Sequence, residues 1–276
     1  ETLAGWLATT PEACSPRRAL GARDATPLAG ARPLVVFSHC TECFRFSMHS
    51  LAARLASHGF VFAAVDHVDN TGFDATAPLN DAFLAVRADD VSRVITALVD
   101  GAGPVDIDAA RIAAVGHSFG AVTTARVVEF DARVKAGFLI AAPADSPFLN
   151  ARHLPNVERP LSWLLAMEDN SISFIGNDFI RDNFVKAPKP NWLIEVENAG
   201  HWSFSDIAGL GGKFMPGCGE GLRDPDGGVF TYVDNDVARG VALRTVTAWA
   251  AFVLDGDDAA KSALSVEAPG THVRAR

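Results

Sequence analysis

Short apolar runs alternate with longer amphipathic stretches along most of the chain. The runs are rich in β-branched and aromatic residues and are apolar almost throughout, as expected of strands that are buried on both faces. Six of them predict strands: PLVVFSH at 33–39, FVFAAVDH at 60–67, RIAAVG at 111–116, AGFLIAA at 136–142, LSWLLA at 161–166 and WLIEVE at 192–197.

The stretches between these runs place apolar residues at helical spacing. They predict helices over 46–59, 81–99, 118–129, 173–184 and 234–254. Strands alternating with helices predict an α/β fold, a mostly parallel sheet with helices on both faces, because parallel strands need long crossover connections. The Gly-rich stretch 209–228 reads as a loop, so we expect one domain over residues 1–276.

Composition narrows the class of protein. Of the 276 residues, 49% are hydrophobic and 21% are charged, which is typical of a globular protein. The net charge of -9 disfavours nucleic acids and anionic membrane surfaces as partners, since both attract positive proteins. No apolar stretch reaches the roughly 18 to 20 residues of a membrane helix, so we expect no membrane span.

A serine stands between two glycines where the third predicted strand meets a helix. In IAAVGHSFGAV, residues 112–122, Gly116 lies two positions before Ser118 and Gly120 two positions after it. A sharp strand-to-helix turn presents a hydroxyl at the edge of a sheet, and glycines on either side avoid clashes in the bend. An ordinary turn that holds a serine is the alternative, but the predicted strand and helix are the context that a nucleophile requires. We predict Ser118 as a nucleophile.

A serine hydroxyl needs a base, usually a histidine held by a carboxylate. In this architecture the order along the chain is serine, acid, histidine. His153, His201 and His272 follow Ser118, but His153 lies in a Pro-flanked connection and His272 in a tail that we expect to fray. His201 directly follows the strand 192–197, at the sheet edge where Ser118 is expected. His201 is therefore the predicted base.

Three carboxylates are candidates for the acid. Asp169 and Glu168 follow the strand 161–166, and Asp145 follows the strand 136–142. We favour Asp169 because the turn after the penultimate strand brings its carboxylate beside the loop that carries His201. Asp145 and Glu168 remain alternatives.

The predicted oxyanion hole consists of backbone N–H groups. One belongs to Phe119, the residue after the nucleophile, and the other to Thr41 or its neighbour Cys40, after the first strand. Phe44 and Trp202 are predicted to bind substrate, although core packing explains a phenylalanine equally well.

We predict no cofactor and no metal. The alternative is a calcium site built from Glu220, Asp224 and Asp226, but carboxylates in such a loop are more often solvated.

Four segments carry a resemblance to a known family. VVFSHCTECFR, LASHGFVFAAVDH, GHSFG and AGHWSFSD resemble the α/β-hydrolases, in particular the branch of platelet-activating-factor acetylhydrolases and dienelactone-hydrolase-like esterases. The similarity runs from about residue 33 to 206. It implies an α/β-hydrolase fold with Ser118 as nucleophile, His201 as base, and the amides of Thr41 and Phe119 as the oxyanion hole.

The chain departs from that family at two places. Cys40 and Glu42 stand where glycines are usual. The acetylhydrolases take their acid from the turn after the strand 136–142, where this chain has Ala141 and Ala142, and this implies that the acid has moved to Asp169. The dienelactone hydrolases proper use a cysteine nucleophile, whereas this chain has a serine.

The leading hypothesis is a serine carboxylic ester hydrolase that works through an acyl-enzyme. The bulky aromatics beside Ser118 and His201 favour short acyl groups, roughly two to six carbons, so the substrate is expected to be a small ester, acetylhydrolase-like, or a polyester chain. A peptidase or acyltransferase on the same triad is an alternative, and so is an inactive binding protein of the same fold.

The cysteines bear on the compartment and on the loops. Their even number, with Cys14, Cys40, Cys43 and Cys218, fits two disulfides in a secreted or periplasmic protein, although no signal peptide is visible. Cys40-x-x-Cys43 is alternatively half of a zinc site or a redox pair. We expect one bridge between the loop of Cys40 and Cys43 and the loop of Cys218, with Cys14 taking the remaining cysteine.

Overall fold

The computed structural model describes residues 3–14, 21–74, 76–145, 149 and 153–276. Within this part of the chain the α-helices are α1 (Leu3–Ala8), α2 (His49–Ser57), α3 (Asp81–Val99), α4 (Phe119–Phe130), α5 (Ser173–Lys186), α6 (Asn235–Asp255) and α7 (Asp258–Leu264). The strands are β1 (Arg32–Ser38), β2 (Val61–Val65), β3 (Ile107–His117), β4 (Val134–Ile140), β5 (Leu161–Ala166), β6 (Trp192–Val196), β7 (Glu220–Leu222), β8 (Val229–Thr231) and β9 (Thr271–Ala275).

Seven strands form one sheet in the order β2-β1-β3-β4-β5-β6-β9. All neighbouring pairs from β2 to β6 are parallel, and only β9 is antiparallel. The six predicted strands and five predicted helices are confirmed, with ends displaced by at most a few residues. The α/β-hydrolase fold class is likewise confirmed.

Alternate side chains of β1 show why helices cover both faces. Leu34 and Val36 belong to the apolar cluster that includes buried residues of α3, α4 and α5. Val35 and Phe37 belong to the cluster that includes α2 and α6. Because successive side chains of a strand point to opposite faces, an unbroken apolar run requires a helical layer on each side.

The chain after α6 differs from the sequence expectation. Residues Thr271–Ala275 pair antiparallel with β6 as the edge strand β9, so His272 lies in a strand and the prediction of a frayed tail is wrong. The Gly-rich stretch also holds more structure than a loop, since β7 pairs with β8 in a small antiparallel sheet. Sequence periodicity missed β7 and β8 because three residues carry too little pattern, and it missed β9 because THVRA contains no apolar run.

We expected no segment that is long and apolar enough to cross a membrane, and helix α6 is an exception. By length and composition alone Asn235–Asp255 meets that test. Of its most apolar window, 56% is buried inside the fold, and core helices of soluble proteins meet the same test.

The predicted disulfide connectivity is wrong, although all four cysteines are paired. Cys40 bonds Cys43 within the loop after β1, where their Cα atoms are 5.2 Å apart. Cys14 bonds Cys218, with Cα atoms 5.7 Å apart, and ties the N-terminal segment to the loop after β6. The tight turn at 40–43 brings its own two cysteines within bridging range, which leaves Cys218 to the N-terminal segment.

Candidate active site

Ser118 occupies the sharp turn between β3 and α4. Its φ of 57° and ψ of −125° lie outside the regions that L-residues ordinarily adopt, a conformation that surrounding structure must enforce. A Cβ on Gly116 would lie 1.9 Å from the carbonyl oxygen of Gly120, and one on Gly120 would lie 1.9 Å from that of Ser38. Gly116 is thus required for the tight turn between β3 and α4, and Gly120 for the close approach of α4 to the end of β1.

His201 and Asp169 meet at the same edge of the sheet. Asp169 follows β5 and His201 follows β6, and the distance between His201 Nδ1 and Asp169 Oδ2 is 2.7 Å. The other carboxylate oxygen accepts hydrogen bonds from the amides of Ser171 and Ile172, at 2.9 and 3.0 Å. A carboxylate at Nδ1 holds the ring with its proton on that nitrogen, which leaves Nε2 as the basic atom.

The two other candidate acids are engaged elsewhere. Asp145 accepts hydrogen bonds from the amides of His153 and Leu154, at 2.7 and 3.0 Å. Glu168 forms an ion pair with Arg223. Asp145 and Glu168 therefore each bind structural partners other than His201.

The two other candidate bases are paired with glutamates. His153 lies 2.8 Å from Glu129, and His272 lies 2.7 Å from Glu197 on the edge strand. Of the three histidines that follow Ser118, the structure brings His201 to the cavity that Ser118 lines.

Four of the predicted site residues line one cavity of about 200 Å³. Ser118, His201, Phe119 and Thr41 all line it. Phe119 is the first residue of α4, where backbone amides have no acceptor inside the helix. The rest of its wall is mostly apolar and comprises Leu79, Val122, Ala142, Pro143, Leu149, Ser171, Ile172 and Gly176.

The wall of this cavity was largely missed by sequence reasoning. Val122 lies one helical turn after Ser118, a spacing that could have identified it. Leu79, Leu149 and Ile172 lie between elements, where no periodicity marks a residue as facing a site.

The predicted substrate-binding aromatics lie beside the cavity rather than on its wall. Phe44 is 2% exposed, and its ring packs among those of Trp6, Phe46 and Phe73. Trp202 packs edge-on against the ring of His201, with centroids 4.8 Å apart. Both therefore support the loops that form the site.

His117, the residue directly before Ser118, holds the backbone of His201 through a hydrogen bond. Its Nε2 donates a hydrogen bond of 2.8 Å to the carbonyl oxygen of His201, and the two ring centroids lie 4.9 Å apart. Burial lowers the pKa of His117 to about 3, so the ring stays neutral and keeps this donor. Sequence reasoning missed this role, which depends on the packing of two distant segments.

Because three histidines are buried, we expect the free energy of unfolding to decrease on mild acidification. Burial lowers the pKa of His39 to about 2, that of His117 to about 3, and that of His67 well below 6.5. Below pH 6.5 the unfolded chain binds protons at these rings while the folded protein does not, so the free energy of unfolding decreases. With up to about 1.4 kcal/mol per pH unit for each ring, we expect a loss of about 3 to 4 kcal/mol between pH 6 and pH 5.

Urea unfolding at pH 6 and pH 5 measures this loss. A His117→Gln variant should lose about one third less, because one titrating ring is gone. The matched control His58→Gln, at an exposed position, should change nothing. A free energy of unfolding that is equal at the two pH values would contradict the prediction.

The carboxylates of the alternative calcium site are not grouped together in the part of the chain that the structure describes. Among the residues that the structure describes, no group of three or more His, Cys, Asp or Glu side chains is placed to hold a metal ion. The carboxylate of Asp224 accepts from the amide of Phe174 at 3.3 Å, and that of Asp226 accepts from Gly228 at 2.9 Å.

Comparison with known proteins points to one family. The family model described as platelet-activating factor acetylhydrolase, isoform II, matches residues 21–90 of this chain. The acetylhydrolase of Cavia porcellus is 26% identical over 226 aligned residues, which cover 66% of this chain and 50% of the relative. That of Bos taurus is 28% identical over 154 residues, covering 40% of this chain and 35% of the relative. The chain thus spans at most about half the length of these curated relatives.

A solved structure supports the fold independently. A ferulic acid esterase from Streptomyces cinnamoneus superposes with a TM-score of 0.70 at 23% identity, covering 91% of this chain and 76% of the esterase. The chain has the α/β-hydrolase fold and is similar to the platelet-activating factor acetylhydrolases.

Proposed function

We propose that the protein is a serine carboxylic ester hydrolase. One observation carries this proposal: Ser118, on a strained turn, shares a cavity with His201, whose Nδ1 lies 2.7 Å from Asp169. A hydroxyl, an imidazole and a carboxylate in this relation are the groups that acyl transfer to serine requires. The similarity to acetylhydrolases supports an ester as the substrate.

The reaction begins when Ser118 Oγ attacks the ester carbonyl carbon while His201 Nε2 takes the hydroxyl proton. Asp169 holds the ring in the required tautomer and stabilises the imidazolium that forms. The amides of Phe119 and Thr41 are the proposed donors to the oxyanion of the tetrahedral intermediate. Collapse breaks the bond to the alcohol, which leaves with the proton from His201.

The second half of the reaction repeats these steps with water. His201 takes a proton from water as its oxygen attacks the acyl group on Ser118, and the intermediate collapses to release the carboxylic acid. The proton returns to Ser118 Oγ, so one ester and one water give one acid and one alcohol. Each group is then restored to its starting state.

The cavity supports a short acyl group. Its volume of about 200 Å³ lies below the roughly 300–1,000 Å³ of sites for larger ligands. Its wall is mostly apolar, which suits an alkyl chain, and a small apolar pocket excludes longer chains sterically. We therefore propose acyl groups of about two to six carbons.

A series of p-nitrophenyl esters from acetate to palmitate tests this preference. We expect kcat/KM to be highest within about two to six carbons and to decrease beyond that. Replacing Ile172 by alanine enlarges the cavity and should shift the maximum toward longer chains. The control Ile175→Ala, at an exposed side chain in the first turn of α5, which directly follows Ile172, should leave the profile unchanged. A maximum at twelve carbons or beyond would contradict a short-acyl site.

The two disulfides bear on where the enzyme works. All four cysteines are bonded in pairs, and disulfides persist mainly in oxidising compartments. This supports the proposal that the protein is secreted or periplasmic.

A further inference from the structure

An arginine with no exposed surface lies behind the site. Arg87 projects from α3, and its Nε donates to Thr123 Oγ1 at 3.1 Å. Its guanidinium also donates to the side chains of Asn70 and Ser38 and to the backbone carbonyl of His39. These four acceptors are neutral oxygens. Burial of this charge costs free energy, which the four neutral acceptors and the electrostatic attraction of Asp90 offset.

His39 continues the network toward the loop after β1. Its Nε2 accepts a hydrogen bond of 3.1 Å from the amide of His67. The ring proton is therefore on Nδ1, which donates to the carbonyl oxygen of Cys40 at 2.6 Å. Since burial keeps this ring neutral, the tautomer is maintained at all ordinary pH values.

The two carbonyls held in this way belong to adjacent peptide units. In a trans peptide the N–H points opposite to the C=O, so a donor that holds the carbonyl also sets the direction of the N–H. The carbonyl of His39 shares its peptide with the amide of Cys40, and the carbonyl of Cys40 shares its peptide with the amide of Thr41. These amides are the two candidates for the donor that the loop contributes to the oxyanion hole.

The same arginine also contacts the first turn of α4, the helix that carries the other donor of the oxyanion hole. Thr123, which accepts from Arg87, donates its hydroxyl to the carbonyl oxygen of Phe119 at 2.8 Å. The guanidinium lies 4.8 Å from the centre of the Phe119 ring, a cation–π distance. One side chain thus connects the loop after β1 with the first turn of α4.

We propose that Arg87 and His39 are positioning residues that hold the backbone donor of the loop 39–41 in a fixed orientation relative to the first turn of α4, which carries the Phe119 donor. The inference rests on the proposed ester hydrolysis and adds residues that the substrate does not touch. Loss of one oxyanion donor typically lowers kcat by about 10²–10³-fold. A donor that is present but misdirected should lower kcat by about 10–100-fold, with little change in KM, because the oxyanion forms only in the transition state.

Four variants of the full chain test this role. His39→Leu removes the donor to Cys40, whereas His39→Asn can retain a donor near the position of Nδ1. Arg87→Met removes the guanidinium. Arg133→Met is the control, because Arg133 also makes several hydrogen bonds, to Asp131, Ser92 and Thr96, but lies at the opposite end of the sheet from the site.

Four quantities are measured for each variant: the thermal midpoint, kcat and KM with p-nitrophenyl acetate, and the inhibition constant of a trifluoromethyl ketone. The ketone forms a tetrahedral adduct with a serine and places an oxyanion in the hole. We expect His39→Leu and Arg87→Met to lose about 10–100-fold in kcat and a similar factor in ketone affinity. His39→Asn should recover most of the loss, and Arg133→Met should stay within about threefold of the wild type.

The outcomes separate this inference from the proposed function. Folded His39→Leu protein with kcat within about threefold of the wild type would overturn the positioning role, as would a loss of kcat without a loss of ketone affinity. If Arg87→Met does not fold, the comparison of His39→Leu with His39→Asn decides, and equal losses in both would overturn it. Ester hydrolysis that survives Ser118→Ala would instead overturn the proposed function itself.

Discussion

Replacing Ser118 by alanine is expected to lower kcat for p-nitrophenyl acetate by about 10⁶-fold, close to the rate that the remaining oxyanion donors support. The hydroxyl is the atom that forms the acyl-enzyme, so no other group can take over its step. The backbone at this turn is already fixed by Gly116 and Gly120, and we therefore expect the variant to fold as the wild type does. Steady-state kinetics and a thermal midpoint on the same preparation measure both.

A covalent probe identifies the nucleophile directly. An organophosphonate should add one group to the wild type, at Ser118, and none to Ser118→Ala, as read by intact mass and peptide mapping. Ser205→Ala is a matched control, since it removes a buried hydroxyl that donates only to the carbonyl of Trp202. Label at another serine, or near-normal hydrolysis by Ser118→Ala, would show that the nucleophile is elsewhere.

Replacing Asp169 by asparagine is expected to lower kcat by about 10⁴-fold while the fold is preserved. An amide at this position can donate its N–H to Nδ1, which would stabilise the ring with its proton on Nε2. That atom could then no longer accept the proton of Ser118. The loss should appear in kcat with p-nitrophenyl acetate and leave the thermal midpoint little changed.

Asp145→Asn is the control for this result. Asp145 is another buried carboxylate that follows a strand of the same sheet, but it caps the amides of His153 and Leu154. Its replacement should lower stability by about 1 to 3 kcal/mol and leave kcat within a few-fold of the wild type. A larger loss of kcat in Asp145→Asn than in Asp169→Asn would assign the acid to Asp145.

The agreement between sequence and structure is greatest where the pattern is long. Helix α3 begins and ends at the predicted residues, 81 and 99, because nineteen residues at helical spacing leave one amphipathic solution. Strand β5 also matches over 161–166, since an unbroken apolar run needs burial on both faces. Strands β7 and β8 were missed because three residues each are too few to show a pattern.

The positions of Ser118, Asp169 and His201 could be anticipated because chain order constrains parallel sheets. Residues that follow parallel strands lie at the carboxyl edge, so three polar residues there are expected to be close. The same argument applies to Asp145, and only the contacts in the structure separate the two carboxylates. Phe44 was expected at the substrate, but its ring packs against Trp6 from the N-terminal segment.

The sequence by itself determined the alternation of strands and helices, the glycines around Ser118 and the order of the polar residues, because each depends on neighbours within one or two elements. Only the tertiary structure decided the pairing of Cys14 with Cys218, the edge strand β9, and the wall of the cavity. It also decided the partners of Arg87, whose hydrogen bonds reach β1, the loop at Asn70 and α4. Such contacts join segments tens to hundreds of residues apart, and their geometry depends on the packing of whole layers, which no local pattern encodes.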